Sequence, residues 1–220
     1  MPKRALVERR PWLLGSLIAA LAFLFLSRTT LPGLYLLGIK AAASGMLAIF
    51  ALLRHKSPDS RRLALFLALV MASDIAVEID ERVAVLLGFA AQLVGINLFL
   101  RNRPAVLTPS QKRAAAALLL LTPVIAVTVS AGQGALYSSA IYALVLGGMA
   151  AGAWASRFSR YRVGLGAVLF LVAELLALAI TAGRLPYDQA SLAAWPLHYV
   201  GLFLLTTGVI QTLRHELPEG

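Results

Sequence analysis

The sequence is built from apolar stretches, each about long enough to cross a lipid bilayer, with short polar segments between them. A membrane-crossing helix needs about 20 apolar residues, within a range of roughly 17–25. Eight such stretches are read: Trp12–Ser27, Gly33–Leu53, Leu63–Ile79, Val83–Leu100, Ala114–Ala131, Ala135–Trp154, Val163–Ala182 and Trp195–Leu213. The punctuation falls at Thr30–Pro32, Ser57–Arg62, Asp80–Arg82, Arg101–Arg113, Gly132–Gly134, Ser156–Arg162 and Gly183–Ala194. This pattern predicts an all-α integral membrane bundle of eight transmembrane helices, a single domain over residues 1–220. Hydrophobic residues make up 60% of the chain and charged residues 14%, against roughly 45–50% and about 25% in soluble domains. So large an apolar excess cannot be absorbed by one compact core. It excludes an ordinary soluble enzyme, a disordered tail and a nucleic-acid-binding domain. The chain has no cysteine, so disulfides, thiolate catalysis and Cys-ligated metals are excluded.

The net charge of +10 follows from where Lys and Arg collect. The N-terminus holds Lys3, Arg4, Arg9 and Arg10. The second, fourth and sixth interhelical segments hold Arg54, Lys56, Arg61 and Arg62, then Arg101, Arg103, Lys112 and Arg113, then Arg157, Arg160 and Arg162, and Arg214 closes the set. These sixteen lie on one side, against Arg28, Arg82 and Arg184 on the other. Such a bias predicts both termini in the cytoplasm, and it suits a bacterial inner membrane. The first stretch, short and preceded by basic residues, resembles a signal peptide. No small-x-small cleavage site follows it, so it is counted as a span. Trp12, Trp154 and Trp195 are read as interfacial aromatic belts. Ala41–Gly45 and the run Gly147, Gly148, Ala150, Ala151, Gly152 are read as sites of close helix approach, and Pro123 as a bend. Gly164-x-Gly166 is not a dinucleotide fingerprint, because no strand precedes it.

Four Lys, Arg, Asp or Glu residues fall within the predicted spans: Lys40, Asp74, Glu78 and Glu174. Each costs roughly 2.5–3.5 kcal/mol near a helix centre on the insertion scale, and one Leu returns only about 0.3–0.6 kcal/mol. They should therefore face the bundle interior or a wet cavity. At 1.5 Å per residue, Lys40 comes out roughly 10 Å, Asp74 roughly 8–9 Å and Glu174 roughly 12 Å below the outer boundary. Gln92 and Tyr142 come out at roughly 10–14 Å. Five polar groups from five helices then share one layer, which predicts a polar pocket opening towards the outer leaflet. Asn97 is the main polar group of the cytoplasmic half, and His198 and Tyr199 lie near the outer end of the last span. Bland alternatives stand beside these assignments. Lys40 either neutralises Asp74 or holds a phosphate. Glu78 is close enough to the interface to be solvated, and Gln92, Asn97 and Tyr142 could be inter-helix hydrogen bonds. Asp80 and Glu81 read as loop charges. Asp74 and Glu174 are 100 residues apart, each in the third helix of a half, so residues 12–100 and 114–213 could form a weak parallel four-plus-four repeat.

The residue inventory narrows the chemistry. A hydrolytic zinc site needs several converging His or acidic ligands, yet His55 and His215 fall on the cytoplasmic side and His198 near the outer one. No Gly-x-Ser-x-Gly elbow occurs. Lys40, the one lysine within a span, is in the second of eight helices, which argues against a retinal Schiff base. No metal or cofactor is expected. Two carboxylates without a metal suit general acid–base catalysis through an oxocarbenium-like transition state. They equally suit a proton-coupled transporter of small molecules or lipids.

Four segments carry a resemblance. Lys40-Ala-Ala-Ala-Ser-Gly-Met-Leu is similar to the Lys-Pro-Leu stretch of the YhhN-like family of eight-span membrane proteins, which includes the animal lysoplasmalogenases. Ala68-Leu-Val-Met-Ala-Ser-Asp74 resembles its Phe-Ser-x-x-Gly-Asp motif. Gly166-Ala-Val-Leu-Phe-Leu-Val-Ala-Glu174 resembles its Gly-Ala-x-x-Phe-x-x-Ser-Asp motif. Tyr142-Ala-Leu-Val-Leu-Gly-Gly-Met149 resembles its Tyr-x-x-x-x-x-x-Met stretch. The similarity runs from about Leu34 to Gln211. The chain departs from the pattern at Ala41 (Pro in the family), Ser73 (Gly), Ala173 (Ser) and Glu174 (Asp), and Gln92 falls near a family His. The resemblance implies a hydrolase that cleaves the vinyl ether of a lysoplasmalogen, an ether-type lysophospholipid drawn from the membrane lipids. Asp74 and Glu174 would be catalytic, and Lys40, Glu78, Gln92, Asn97, Tyr142, His198 and Tyr199 would contact substrate. A Lys40–Asp74 contact would make Asp74 the base and Glu174 the acid.

Overall fold

The computed structural model describes residues 10–132 and 136–215. Lys3, Arg4, Arg9, Gly134 and Ala135, named above, lie outside the described residues, as do the side chains of Arg10 and His215. The described residues form eight α-helices: α1 (Arg10–Leu26), α2 (Gly33–Arg54), α3 (Pro58–Ala76), α4 (Glu81–Arg101), α5 (Pro109–Val129), α6 (Leu136–Trp154), α7 (Leu165–Thr181) and α8 (Tyr187–His215). A π-helical turn, Arg160–Gly164, leads into α7. By length and composition, α2, α4, α5, α8 and the continuous segment Arg160–Thr181 could each cross a membrane, and α1 and α6 are shorter apolar helices. The chain is thus a helical integral membrane protein.

Several helices begin earlier than the apolar pattern predicts, because polar caps belong to them. Ser57 accepts the Ser60 N–H, with Pro58 in the first turn of α3. Thr108 and Gln111 form a reciprocal capping box ahead of α5, again with proline in the first turn. Both arrangements satisfy main-chain donors that a helix start leaves open. Asp80, read above as a loop charge, accepts the main-chain N–H groups of Arg82 (2.8 Å) and Val83 (3.3 Å), so it caps α4. The last helix starts at Tyr187 and runs through Pro196, eight residues before the predicted Trp195. At the other end of α7, Gly183 has φ +66°, the left-handed conformation that terminates helices. Arg184 donates to the carbonyls of Val129 (3.1 Å) and Ala131 (2.5 Å) beyond α5.

The chain divides into two compact units, residues 1–94 with 210–220, and residues 95–209. In the first, α1 packs on α2 and α2 on α3. Ser16 Oγ donates to Ala43 O at 2.6 Å, and Ser60 Oγ donates to Ala51 O. Ala43 and Ser44 are fully buried, so the Ala41–Gly45 stretch does lie at a close helix contact. In the second unit α5 packs on α6, and a Cβ on Gly147 would come within 2.7 Å of Leu118 O. α7 and α8 approach as closely. A Cβ on Gly166 would meet Gly201 O at 2.7 Å, and one on Gly201 would meet Gly166 O at 2.8 Å. The two backbones touch at this glycine pair, as small residues permit. That crossing fixes which α8 side chains face Glu174.

Candidate functional site

The structure gathers the candidate residues into two sets, one in each unit. In the first unit α2 presents Lys40 and α3 presents Asp74. Lys40 Nζ lies 3.1 Å from Asp74 Oδ1, with the side chains 20% and 14% exposed. Next to Asp74, Ser73 Oγ donates to Ala84 O at 2.8 Å and ties the end of α3 to α4. Ser73 is one of the departures from the family pattern, and its hydroxyl supplies a contact that glycine lacks. Asp74 stands only two residues before the end of α3 at Ala76, roughly 3 Å along the axis. The predicted depth of roughly 8–9 Å assumed a helix reaching Ile79. For the same reason Glu78 is no span residue: it is exposed in the turn after α3.

Gln92 on α4 is 1% exposed, and its Oε1 has no hydrogen-bond partner among the described residues. Buried carbonyl oxygens are usually satisfied, so Gln92 stands out as a polar group within the first unit. Asn97, further along α4, is exposed and belongs to the second unit.

In the second unit three helices converge on Glu174. From α6, Tyr142 Oη donates to Glu174 Oε2 at 3.0 Å. From α8, His198 Nδ1 lies 3.4 Å from Glu174 Oε1. Each carboxylate oxygen therefore has its own partner. The imidazole is held in turn. Trp195 stacks on it with centroids 5.8 Å apart and planes 14° apart, and Phe170 of α7 packs at 5.1 Å. Tyr199 is buried beside Trp195, ring to ring at 6.3 Å. The Gly166–Gly201 contact explains this register: with α7 and α8 touching there, Phe170 and then Glu174 fall opposite His198. The span that carries Glu174 contains no Lys, Arg or His, and its partner lies on another helix. The signal available was the pair of glycines that lets those helices meet.

Trp195 corrects the aromatic-belt expectation, since it is 8% exposed and packs on His198. The face of Trp154 also packs inward, with a Cβ on Gly164 falling 2.9 Å from its ring. Among the described residues no three His, Cys, Asp or Glu side chains cluster in a way that could hold a metal ion.

The first set is an ion pair. The second is a carboxyl group flanked by a phenol and an imidazole, three groups that can each gain or lose a proton. Such a set can donate a proton to a bound molecule and recover it from a neighbour. No curated protein and no solved structure matches the chain. The model of the YhhN family matches residues 35–209, which include both sets. On that match, the chain belongs to the YhhN family.

Proposed function

We propose that this chain is a membrane-embedded hydrolase of an ether-type lysophospholipid that cleaves the vinyl ether bond of a lysoplasmalogen. The observation that carries the reading is the Tyr142–Glu174–His198 set in a YhhN-family chain. The reaction adds water across R–CH=CH–O–R′. The Glu174 carboxyl gives its proton to the vinyl carbon remote from oxygen, which leaves an oxocarbenium ion. Water attacks the carbon next to oxygen and gives up a proton. The hemiacetal then collapses to a fatty aldehyde and the glycerophospho-headgroup alcohol. His198 and Tyr142 hold the Glu174 oxygens and return the proton. Asp74, paired with Lys40, is the second carboxylate assigned to the reaction, as acceptor of the water proton. The distribution of Lys and Arg supports cytoplasmic termini and a bacterial inner membrane.

The test uses purified protein in detergent, a vinyl-ether lysophospholipid and its ester analogue. Aldehyde should form from the vinyl ether alone. Glu174→Gln and Asp74→Asn should each lower its rate by about 10²–10⁴-fold, the range for general acid–base groups. Full activity of well-folded Asp74→Asn would sink its assignment as base. Transport into liposomes that Asp74→Asn abolishes, with no aldehyde from wild type, would replace the hydrolase by a proton-coupled transporter.

A further inference from the structure

Two segments of the second unit are locked together at the end of α4. The Arg157 main-chain N–H donates to Asn102 O at 2.8 Å, and Arg157 Nε donates to Asn102 Oδ1 at 2.7 Å. Asn102 Nδ2 is itself anchored on Leu98 O at 2.9 Å. Beneath this clip Phe158 meets Phe99 edge-on at 6.2 Å, and the Arg157 guanidinium lies 5.7 Å from the Phe158 ring centre. The lock brings Arg101 and Arg103 to the same end of the unit as Arg157, Arg160 and Arg162. Arg160 is half-buried and the other four are exposed.

The basic segments have no acidic neighbour close in sequence. From Arg82 to Ala173 the chain contains no Asp or Glu. The corresponding basic segment of the first unit differs, because its Asp59 binds Arg62 at 2.7 Å. Two apolar side chains also project from the locked segments: Val106 is 83% exposed and Tyr161 is 89% exposed. Exposed arginine forks beside an exposed aliphatic and an exposed aromatic side chain in the same two segments match a phosphate headgroup at the edge of hydrocarbon.

We infer that the locked segments 101–106 and 157–162 form a binding site for the phosphate of anionic phospholipids. The site is independent of the hydrolase reading and of which acid does chemistry. Soluble phosphate shares the charge. The exposed Val106 and Tyr161 are what commit the site to a lipid.

The test is native mass spectrometry of delipidated, detergent-purified protein titrated with phosphatidylglycerol or phosphatidylcholine. Wild type should retain phosphatidylglycerol preferentially. Arg101→Gln/Arg103→Gln/Arg160→Gln should weaken phosphatidylglycerol binding by about 100-fold, at about 5-fold per basic residue, and leave phosphatidylcholine retention unchanged. Arg101→Gln/Arg103→Gln, a milder change, should weaken it by about 25-fold on the same scale. Lys56→Gln/Arg61→Gln in the first unit should have a smaller effect than that double variant. Unchanged phosphatidylglycerol affinity in either arginine variant overturns the site. Inorganic phosphate that raises the unfolding temperature as much as phosphatidylglycerol, at equal concentration, overturns its assignment to lipid.

Discussion

Asp74 faces an ammonium group 3.1 Å away, whereas Glu174 accepts a phenol O–H at 3.0 Å and lies 3.4 Å from an imidazole nitrogen. The two acids occupy corresponding places in the chain, each on the third helix of a half, yet their partners differ in kind. Lys40 brings a full positive charge, with donors and no acceptor, so it can only complement an oxygen lone pair of Asp74. Tyr142 and His198 can reorganise their protons, and the imidazole nitrogen can donate or accept. The first set is therefore suited to holding a charge, and the second offers the groups that the proposed reaction needs to pass a proton. This division is why the acid step is placed on Glu174.

The sharpest way to break the comparison is to remove one partner from each set and read stability, apart from activity. Taking away one member of a buried ion pair is strongly destabilising, by roughly 3–5 kcal/mol, because the other charge is stranded. Lys40→Met should fall at the lower end of that range, since both side chains keep some exposure. The double variant Lys40→Met/Asp74→Leu should recover most of the loss, as apolar replacement of a buried pair often does. Glu174→Gln should cost about 0.6 kcal/mol, the typical value of one inter-helix hydrogen bond in a membrane. Thermal unfolding in one detergent checks all three. Equal losses for Lys40→Met and Glu174→Gln would erase the distinction between the sets.

A second comparison lies in how each unit brings its helices together. A Cβ on Gly45 in the first unit would meet Met71 Sδ at 2.9 Å, a flexible side chain that can move aside. A Cβ on Gly166 would meet the Gly201 carbonyl at 2.7 Å and Leu205 N at 2.8 Å, which are main chain and cannot. Gly166→Val should therefore destabilise by about 1–3 kcal/mol, as overpacking does, and Gly45→Ala by less. Because the α7–α8 contact sets the register of His198, Gly166→Val should also impair Glu174 chemistry while Gly45→Ala leaves it unchanged. Unfolding midpoints and aldehyde release from the two variants separate packing from chemistry. A Gly166→Val protein as active as wild type would show that the crossing does not position the acid.

Much of this was legible in the sequence, for definable reasons. Apolar length and polar punctuation locate the eight helices of the described residues, because both are local properties. The expense of charge in an apolar helix singles out Lys40, Asp74 and Glu174 before any contact is known. What local pattern cannot carry is the partner on another helix. The sequence presents His198 and Tyr142 as separate substrate contacts and Trp195 as an interfacial anchor, because contacts made from α6 and α8 depend on how those helices pack on α7. Helix starts differ from the apolar pattern for a different reason. Ser57-Pro58 and Thr108-Pro109-x-Gln111 are cap signatures that can be read directly, but they are polar, and an apolar-length criterion assigns them to the loops. The shorter reach of α3 then moved Asp74 towards a helix end and left Glu78 outside.

The smallest expected effect is also the most specific. Tyr142→Phe removes one hydroxyl and leaves the ring, so its loss reports the hydrogen bond to Glu174 Oε2 alone. In stability that bond should be worth about 0.6 kcal/mol. If it only tethers α6 to α7, the rate of aldehyde release should fall in step with the folded fraction. If it holds the carboxyl for proton transfer, kcat should fall by about 10-fold, equivalent to about 1.4 kcal/mol in the barrier, with KM unchanged. A transition-state interaction lowers kcat and kcat/KM equally, whereas lost uniform binding raises KM. A raised KM at constant kcat would make Tyr142 a substrate contact, the role the sequence assigned it, and would leave His198 as the one partner through which Glu174 recovers its proton.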